Sequence, residues 1–232
     1  MSDVMSRRGV PSRSPLGEGS NGRREPAAKN SSDAATYLAT LPVVCVQGLG
    51  FVGAAVCVAL ASARDDFGRP VFRVVGVDLP TSDGTAKVRA LNSGKFPFPT
   101  ADEELGASVR EACAVGNLRA CTEASAFASA AVIVVDVAVH LAPDDDDPVL
   151  ELDGFRSAIR TVGRHMRPDC LVVIETTVPP GTTTRVAAPL LAEELTARGL
   201  PKDRFKLAHC YERATPGSAY LEEIVRMPRV YA

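Results

Sequence analysis

Short apolar runs alternate with longer stretches of mixed polarity along most of the chain. The runs of strand length are Val43–Val46, Val71–Val77, Ala131–Val139, Leu171–Thr176 and Phe205–His209. The stretches that favour helices are residues 54–63, Ala101–Val115, Asp153–Met166 and Thr182–Arg198. Nearly continuous Val and Ile in the runs indicate strands buried on both faces, as in a parallel sheet covered by helices. The pattern therefore predicts an α/β fold with a doubly wound parallel sheet.

The first forty residues lack this alternation. They are rich in Ser, Arg, Gly, Pro and Asn and nearly free of large apolar side chains, a composition typical of disorder. We therefore expect a disordered tail over residues 1–40 and a single domain over residues 41–232. An organelle transit peptide is the less favoured interpretation, because Asp3, Glu18, Glu25 and Asp33 make the segment more acidic than such peptides usually are.

Composition narrows the classes of function. With 232 residues, 46% of them hydrophobic, and a net charge of −2, the chain can bury a sizeable core and has no polybasic signature for nucleic acid. No run reaches about 18 apolar residues, and no secretory signal opens the chain, so we expect no membrane partner. The six cysteines form no CxxC pair, which favours a reducing, cytoplasmic location. The run Asp144–Asp147 predicts a solvated turn and no metal, since contiguous aspartates cannot all converge on one ion.

A glycine motif follows the first predicted strand and precedes the first predicted helix. Its residues are Gly48, Leu49, Gly50, Phe51, Val52 and Gly53, which follow the G-x-G-x-x-G spacing. In this arrangement the first glycine permits the tight turn, the second leaves room for a pyrophosphate, and the third lets the helix pack closely. The new helix directs its unpaired N–H groups at the phosphates. The motif predicts a dinucleotide-binding, Rossmann-type domain.

An acid at the end of the second predicted strand strengthens this interpretation. Asp78 stands where the fold places the partner of the adenosine ribose hydroxyls. The alternative, a carboxylate that only caps the strand end, is less favoured. Leu79 and Pro80 follow Asp78 in place of an arginine, so a 2′-phosphate would meet a carboxylate and no obvious cation. The sequence therefore favours NAD over NADP.

Several motifs in chain order resemble the UDP-glucose/GDP-mannose dehydrogenase family. The most specific is ETTVPPGTT at Glu175–Thr183, which is similar to the family's E-S-T-V-P-P-G-T segment. LNSGKFPF at Leu91–Phe98, YERATPG at Tyr211–Gly217 and MPRVYA at Met227–Ala232 resemble further family segments. The resemblance covers residues 43–232. It implies an NAD-dependent oxidation of the C6 alcohol of a UDP- or GDP-linked sugar to the carboxylate, through a thioester on a cysteine.

The resemblance assigns roles to two residues. Thr177 matches the family threonine whose hydroxyl helps to place a water near the reacting carbon and which adjoins the cofactor. Glu212 matches a glutamate proposed as a proton-transfer or water-organising group. Each has a plainer alternative, a turn threonine before the Val-Pro-Pro-Gly bend and a solvated acid paired with Arg213.

The chain also departs from the family pattern. After Ala138–Val139 it reads His140, Leu141 and Ala142 where the family usually has P-T-P, and the motifs of the family's substrate-binding lysine and nucleophilic cysteine are absent. We therefore expect the NAD-binding domain of a nucleotide-sugar 6-dehydrogenase, a fragment or truncated form. A missing C-terminal half or a companion chain would complete the reaction, and the full-length form would be a possible homodimer. The alternative is a catalytically silent NAD-binding or interaction module.

Overall fold

The computed structural model describes residues 31–142 and 149–232, and its centre is a six-stranded parallel sheet. The strands of this sheet are β1 (Val43–Gln47), β2 (Arg73–Val77), β3 (Leu118–Cys121), β4 (Val132–Val135), β7 (Cys170–Ile174) and β8 (Phe205–His209). Their spatial order is β3-β2-β1-β4-β7-β8, with every pair parallel. β5 (His140–Ala142) and β6 (Val149–Glu151) form a separate antiparallel pair.

Helices cover both faces of the sheet. They are α1 (Ser31–Thr40), α2 (Phe51–Ser62), α3 (Ser82–Asn92), α4 (Glu103–Val115), α5 (Asp153–His165), α6 (Ala188–Ala197) and α7 (Tyr220–Arg226). A 3₁₀ turn at Ala124–Ser129 precedes β4, and a π-helical turn at Thr183–Ala187 leads into α6. One apolar core lies on the side of α2, α4 and α7, and a second lies beneath α5 and α6. The predicted doubly wound α/β fold is confirmed.

The chain reverses its direction of winding between β1 and β4. From β1 it builds outward through β2 to β3 on one side, and from β4 through β7 to β8 on the other. The carboxyl ends of β1 and β4 therefore diverge into loops that leave in opposite directions, and this is where open parallel sheets bind ligands. The residues singled out above for chemistry lie at this edge, in its loops or in the first turn of α2.

The predicted strand Ala131–Val139 is too long, because β4 ends at Val135. Its neighbour β1 has already turned away after Gln47, which takes one last backbone hydrogen bond from Asp136. Beyond that point the backbone of Val137 forms its hydrogen bonds with a side chain instead of a strand: the Thr176 hydroxyl lies within hydrogen-bond distance of both its N–H and its C=O. The apolar residues after Val135 therefore belong to the loop at the edge of the sheet and to β5.

The expected tail is wrong for its last ten residues, which form α1. Tyr37 donates a hydrogen bond to the Pro70 carbonyl at 2.9 Å, and the Arg69 guanidinium lies 5.3 Å from its ring. One aromatic side chain thus anchors a segment whose overall composition is typical of disorder. The rest of the predicted tail, residues 1–30, and the aspartate run 144–147 lie outside the described residues.

The described residues contain no group of three or more His, Cys, Asp or Glu side chains placed to hold a metal ion. Among the helices of residues 31–142 and 149–232, none has the length and apolar character needed to cross a membrane. All six cysteines are free thiols. Burial raises the pKa of Cys45 to about 12 and that of Cys170 to about 11, so both remain protonated and pack as small apolar groups.

Candidate cofactor-binding and active site

The glycine turn joins β1 to α2 at the point where the sheet reverses. Gly48 has a φ of 95°, and a Cβ there would lie 2.0 Å from the carbonyl oxygen of Asp136. A Cβ on Gly53 would lie 2.1 Å from the carbonyl oxygen of Gly48, so the first turn of α2 packs directly on the loop. Around Gly50, in contrast, the space that a Cβ would occupy has no atom within 4 Å. The turn is therefore tightly packed at Gly48 and Gly53 and leaves free space beside Gly50.

Helix α2 presents its first turn to this open space. The helix begins at Phe51, and its N-cap Gly50 supplies no side-chain cap. The Gly53 N–H donates to the Asp136 carboxylate, and the N–H groups that precede it in the first turn are available to an anion. The side chains between the glycines point elsewhere. Leu49 is fully buried over β2, and Phe51 packs 5.2 Å from the ring of Tyr220 and 5.3 Å from that of Phe96. The backbone of the loop is therefore accessible to a ligand, whereas the side chains of the loop pack against the rest of the domain.

Asp78 lies against the glycine turn from the end of β2. Its Oδ2 accepts the Leu49 N–H at 3.3 Å, and its Oδ1 accepts the Leu79 N–H at 2.7 Å. The Lys87 ammonium, on α3, lies 3.6 Å from Asp78 Oδ2 and 2.6 Å from Asp83 Oδ2. The expectation of no cation beside Asp78 is therefore wrong. Lys87 lies one helical turn beyond Asp83. The prediction rested only on the residues adjacent to Asp78 in the sequence and therefore missed Lys87.

Thr177 lies at the mouth of a cavity of about 550 Å³ beyond the ends of β7 and β8. The turn Val178–Gly181 lines one side of this cavity, and His209 and Tyr211 line the other. The preceding Thr176 is buried and ties the end of β7 to the loop after β4, so Thr177 extends from a fixed backbone. Within the described residues, the buried His209 Nδ1 has no hydrogen-bond partner.

Glu212 is close to this cavity in sequence, but its carboxylate is engaged elsewhere. Oε1 accepts the N–H groups of Arg213 and Ala214, both at 2.6 Å, and Oε2 pairs with Arg229. The side chain is only 8% exposed. The predicted alternative of a solvated acid paired with Arg213 is therefore wrong: the Arg213 contact is made by its backbone, and the ion pair is made with Arg229.

Arg229 connects Glu212 to a second carboxylate. Its Nη1 lies 2.6 Å from Glu175 Oε1, and the Glu175 side chain is 4% exposed. Burial raises the pKa of Glu175 to about 7 and that of Asp136, just after β4, to about 6. Burial also raises the pKa of the Tyr220 phenol, whose hydroxyl has no partner among the described residues. We call Asp136, Glu175, Glu212, Tyr220 and Arg229 the acid cluster.

Sequence reasoning missed most of the acid cluster. Asp136 stands inside an apolar run that predicts a strand, and Glu175 entered only as the first letter of a motif. The rule that ligands bind beyond the carboxyl ends of parallel strands would have selected both, because each directly follows a buried strand. Arg229 had no such signal.

Together the fold and the site define a class of protein, a dinucleotide-binding Rossmann domain. The strand order, the glycine turn and the acid at the end of β2 all belong to that class. A sequence model of the UDP-glucose/GDP-mannose dehydrogenase family, NAD binding domain, matches residues 43–231. The chain belongs to this family, and NAD is the cofactor of its domain.

Relatives place the match within longer proteins. The chain is 31% identical over 179 residues to the UDP-N-acetyl-D-mannosamine dehydrogenase of Pyrococcus horikoshii, over 77% of this chain and 38% of the relative. It is 33% identical over 155 residues to the GDP-mannose 6-dehydrogenase of Azotobacter vinelandii, over 65% and 32%. The crystal structure of the NDP-N-acetyl-D-galactosaminuronic acid dehydrogenase of Methanosarcina mazei superposes with a TM-score of 0.72 at 26% identity, over 86% and 40%. The chain thus spans less than half the length of these relatives.

Proposed function

We propose that this chain supplies the NAD-binding part of a nucleotide-sugar 6-dehydrogenase, which oxidises the C6 alcohol of a UDP- or GDP-linked sugar to the carboxylate. The observation that carries the proposal is the convergence at one sheet edge of an open glycine turn, the Asp78 carboxylate and the cavity beside Thr177. The family model matches residues 43–231, which include this edge, and relatives of the chain are named for UDP- and GDP-sugar dehydrogenation.

The residues present suit NAD. The open surface at Gly50 and the start of α2 fit a pyrophosphate, which accepts hydrogen bonds from backbone N–H groups there. Asp78 fits the adenosine ribose, whose hydroxyls would donate to its carboxylate. Bound NAD supplies the hydride acceptor of the reaction. The protein's part is to bind the dinucleotide through the α2 turn and Asp78.

Two residues are proposed for the reacting end of the site. Thr177, exposed at the cavity, holds a water or substrate oxygen through its hydroxyl. Glu212, adjacent in sequence to the lining residue Tyr211, influences proton transfer through its charge and not by direct contact, because its carboxylate is already held by Arg229 and two backbone N–H groups. Thr177 is thus proposed as the residue that touches substrate or cofactor, and Glu212 as one that organises the site around it.

Calorimetric titration of the 232-residue chain with NAD tests the cofactor half of this proposal. Asp78→Asn removes the ribose partner, and Asp83→Asn is a matched control, since both acids pair with Lys87 and only Asp78 reaches the glycine turn. We expect saturable binding, weakened about tenfold or more by Asp78→Asn because hydrogen bonds to a charged group are lost, and nearly unchanged by Asp83→Asn. Equal weakening by both variants would contradict the assigned role of Asp78.

A second experiment tests the reaction. NADH formation is measured with NAD and a UDP- or GDP-linked hexose for two proteins. One is the chain alone, and the other is a chimera in which residues 43–231 replace the matching segment of the P. horikoshii relative. We expect activity in the chimera, reduced strongly by Thr177→Val and rescued by Thr177→Ser. A folded chimera that binds NAD and forms no NADH would favour the catalytically silent module. The engaged carboxylate of Glu212 is the observation that keeps this alternative open.

A further inference from the structure

The acid cluster adjoins the glycine turn through Asp136, whose backbone packs against Gly48 and whose side chain packs against Gly53. Its three carboxylates follow three adjacent strands: Asp136 comes after β4, Glu175 after β7, and Glu212 after β8. Asp136 contacts the start of α2: its carboxylate accepts the Gly53 N–H, and its Oδ2 lies 2.9 Å from the position that a Cβ on Gly53 would occupy. Gly53 belongs to the same first turn of α2 that is proposed to hold the pyrophosphate.

The cluster carries more acid than base. Three carboxylates face one guanidinium, that of Arg229, which pairs with Glu175 and Glu212 and leaves Asp136 without an ion pair among the described residues. When all are ionised, the cluster has an excess of negative charge in a region shielded from water. Burial stabilises an unpaired negative charge poorly, and protonation of one carboxylate is the simplest way to neutralise it.

Each element packed around Asp136 contributes a titratable or charged group. These groups are Cys57 on α2, Glu175 after β7, Glu212 after β8, Tyr220 at the start of α7 and Arg229 in the final segment. Cys57 and Tyr220 remain neutral, because burial raises the pKa of both. Burial raises the pKa of Asp136, and the charged group that acts on it is therefore the Glu212 carboxylate, which raises that pKa further. At the helix end above it, the Gly53 N–H donates a hydrogen bond to the Asp136 carboxylate and favours its ionised form.

NAD adds negative charge at that helix end. Its pyrophosphate carries two negative charges, and the first turn of an α-helix rises only about 1.5 Å per residue, so phosphates bound there lie within a Debye length of about 8 Å. Solvent screens the interaction little, because the carboxylate lies below the turn. An ionised Asp136 opposes binding, and a protonated one does not.

We infer that Asp136 links cofactor binding to proton uptake: when the pyrophosphate binds at the start of α2, the Asp136 carboxylate takes a proton from solvent. The inference rests on the proposed binding of NAD at the glycine turn. Sequence similarity alone does not predict this effect of the buried acid on cofactor binding. NAD affinity then rises as pH falls through the range in which free Asp136 titrates, by up to about tenfold per pH unit.

Calorimetry of the whole chain measures this linkage. The heat of NAD binding at pH 7 is compared in PIPES, HEPES and Tris, whose ionisation enthalpies differ, so the buffer dependence gives the protons taken up per NAD. A tenfold gain in proton affinity on binding, from a pKa of about 6, takes up roughly 0.4 proton per NAD at pH 7. We expect an uptake of this order in the wild type.

Three variants assign the proton. Asp136→Asn keeps the shape and an acceptor oxygen but cannot ionise. We therefore expect no proton uptake in this variant and, at pH 8, an NAD affinity severalfold higher than that of the wild type. Glu175→Gln removes the other buried acid with a raised pKa and should retain most of the uptake. Glu193→Gln, on the exposed face of α6, is the control for the chemical change and should retain all of it.

The outcomes separate the inference from the proposed function. Saturable NAD binding with no buffer dependence in the wild type would overturn the inference and leave the proposed function standing. Uptake that persists in Asp136→Asn, or that is lost only in Glu175→Gln, would also overturn it, because another group would then hold the proton. If Asp136→Asn fails to fold, Glu175→Gln still decides: uptake retained in that variant excludes Glu175 and supports Asp136, and uptake lost in it overturns the inference. Absence of saturable binding would contradict the proposed function and the inference together.

Discussion

Replacing Glu175 by Gln is expected to change how the stability of the protein depends on pH. The side chain is buried at the end of β7, with Oε1 on Arg229 and Oε2 without a partner among the described residues. Burial raises the pKa of the carboxyl from 4.5 to about 7. The amide has the same shape as the protonated acid, and its oxygen can still accept the hydrogen bond from Arg229. The substitution therefore removes the titration and little else.

The direction of the effect follows from proton linkage. A raised pKa means that the folded state holds the proton more tightly than the unfolded state, so unfolding releases a proton between pH 4.5 and about pH 7. The contribution of Glu175 to stability is complete below pH 4.5, falls as pH rises and is lost above about pH 7. At about 1.4 kcal/mol per pH unit, the loss is about 3 kcal/mol. The Gln variant does not undergo this loss.

Urea denaturation at pH 5 and pH 8, followed by far-ultraviolet circular dichroism because the chain has no tryptophan, measures the effect. Near pH 5 we expect wild type and Glu175→Gln to be similar in stability. At pH 8 the variant should be more stable by about 2–3 kcal/mol. Glu193→Gln, an exposed acid on α6, is the control and should not change with pH relative to the wild type. A difference between wild type and Glu175→Gln that is the same at both pH values would refute the reasoning.

Three further substitutions test other contacts of the same edge. Gly53→Ala should cost about 1–3 kcal/mol and weaken NAD binding, because the new methyl group would lie 2.1 Å from the Gly48 carbonyl oxygen; denaturation and NAD titration measure the two effects. Asp102→Ala should cost about 2–4 kcal/mol in the same denaturation assay, since its buried carboxylate accepts N–H groups from both α4 and α7. Arg229→Met should cost about 3–5 kcal/mol at pH 8, because it leaves two buried carboxylates unpaired. The Arg229→Met loss should be smaller at pH 5, where Glu175 takes up a proton, and a loss independent of pH would argue against the Glu175–Arg229 ion pair.

The sequence predicts those parts of the fold whose signals are local. Four central strands are marked by runs of Val and Ile, and the glycine turn by its spacing, because burial on both faces and a tight turn each demand particular residues in succession. β3 escapes prediction because it is a four-residue edge strand with an exposed Arg119 at its centre. α7 escapes because it has only seven residues, and its stability comes from the packing of Tyr220 against Phe51.

The acid cluster could not be predicted for a different reason. A carboxylate inside an apolar run, such as Asp136, has no local explanation, since what makes its burial tolerable lies on other strands and helices. Arg229 meets Glu175 and Glu212 only after the final segment has returned to the sheet, where the backbones of Ala232 and His209 exchange two hydrogen bonds. Pairings of this kind depend on topology, which a motif does not encode.

The geometry of Glu212 limits how the two proposed catalytic residues can divide their work. Its carboxylate already takes two backbone N–H groups and one guanidinium, so it has little capacity left to accept a proton directly from a substrate in the Thr177 cavity. Direct proton transfer would require Arg229 to release Glu212, which would leave Glu175 and Glu212 competing for a single cation in a buried region. Retention of the arginine avoids that cost, so the role proposed for Glu212 is to act through its charge and through the backbone that it fixes. Thr177, exposed at the mouth of the cavity, is the one of the pair that can reach a reacting group without rearrangement.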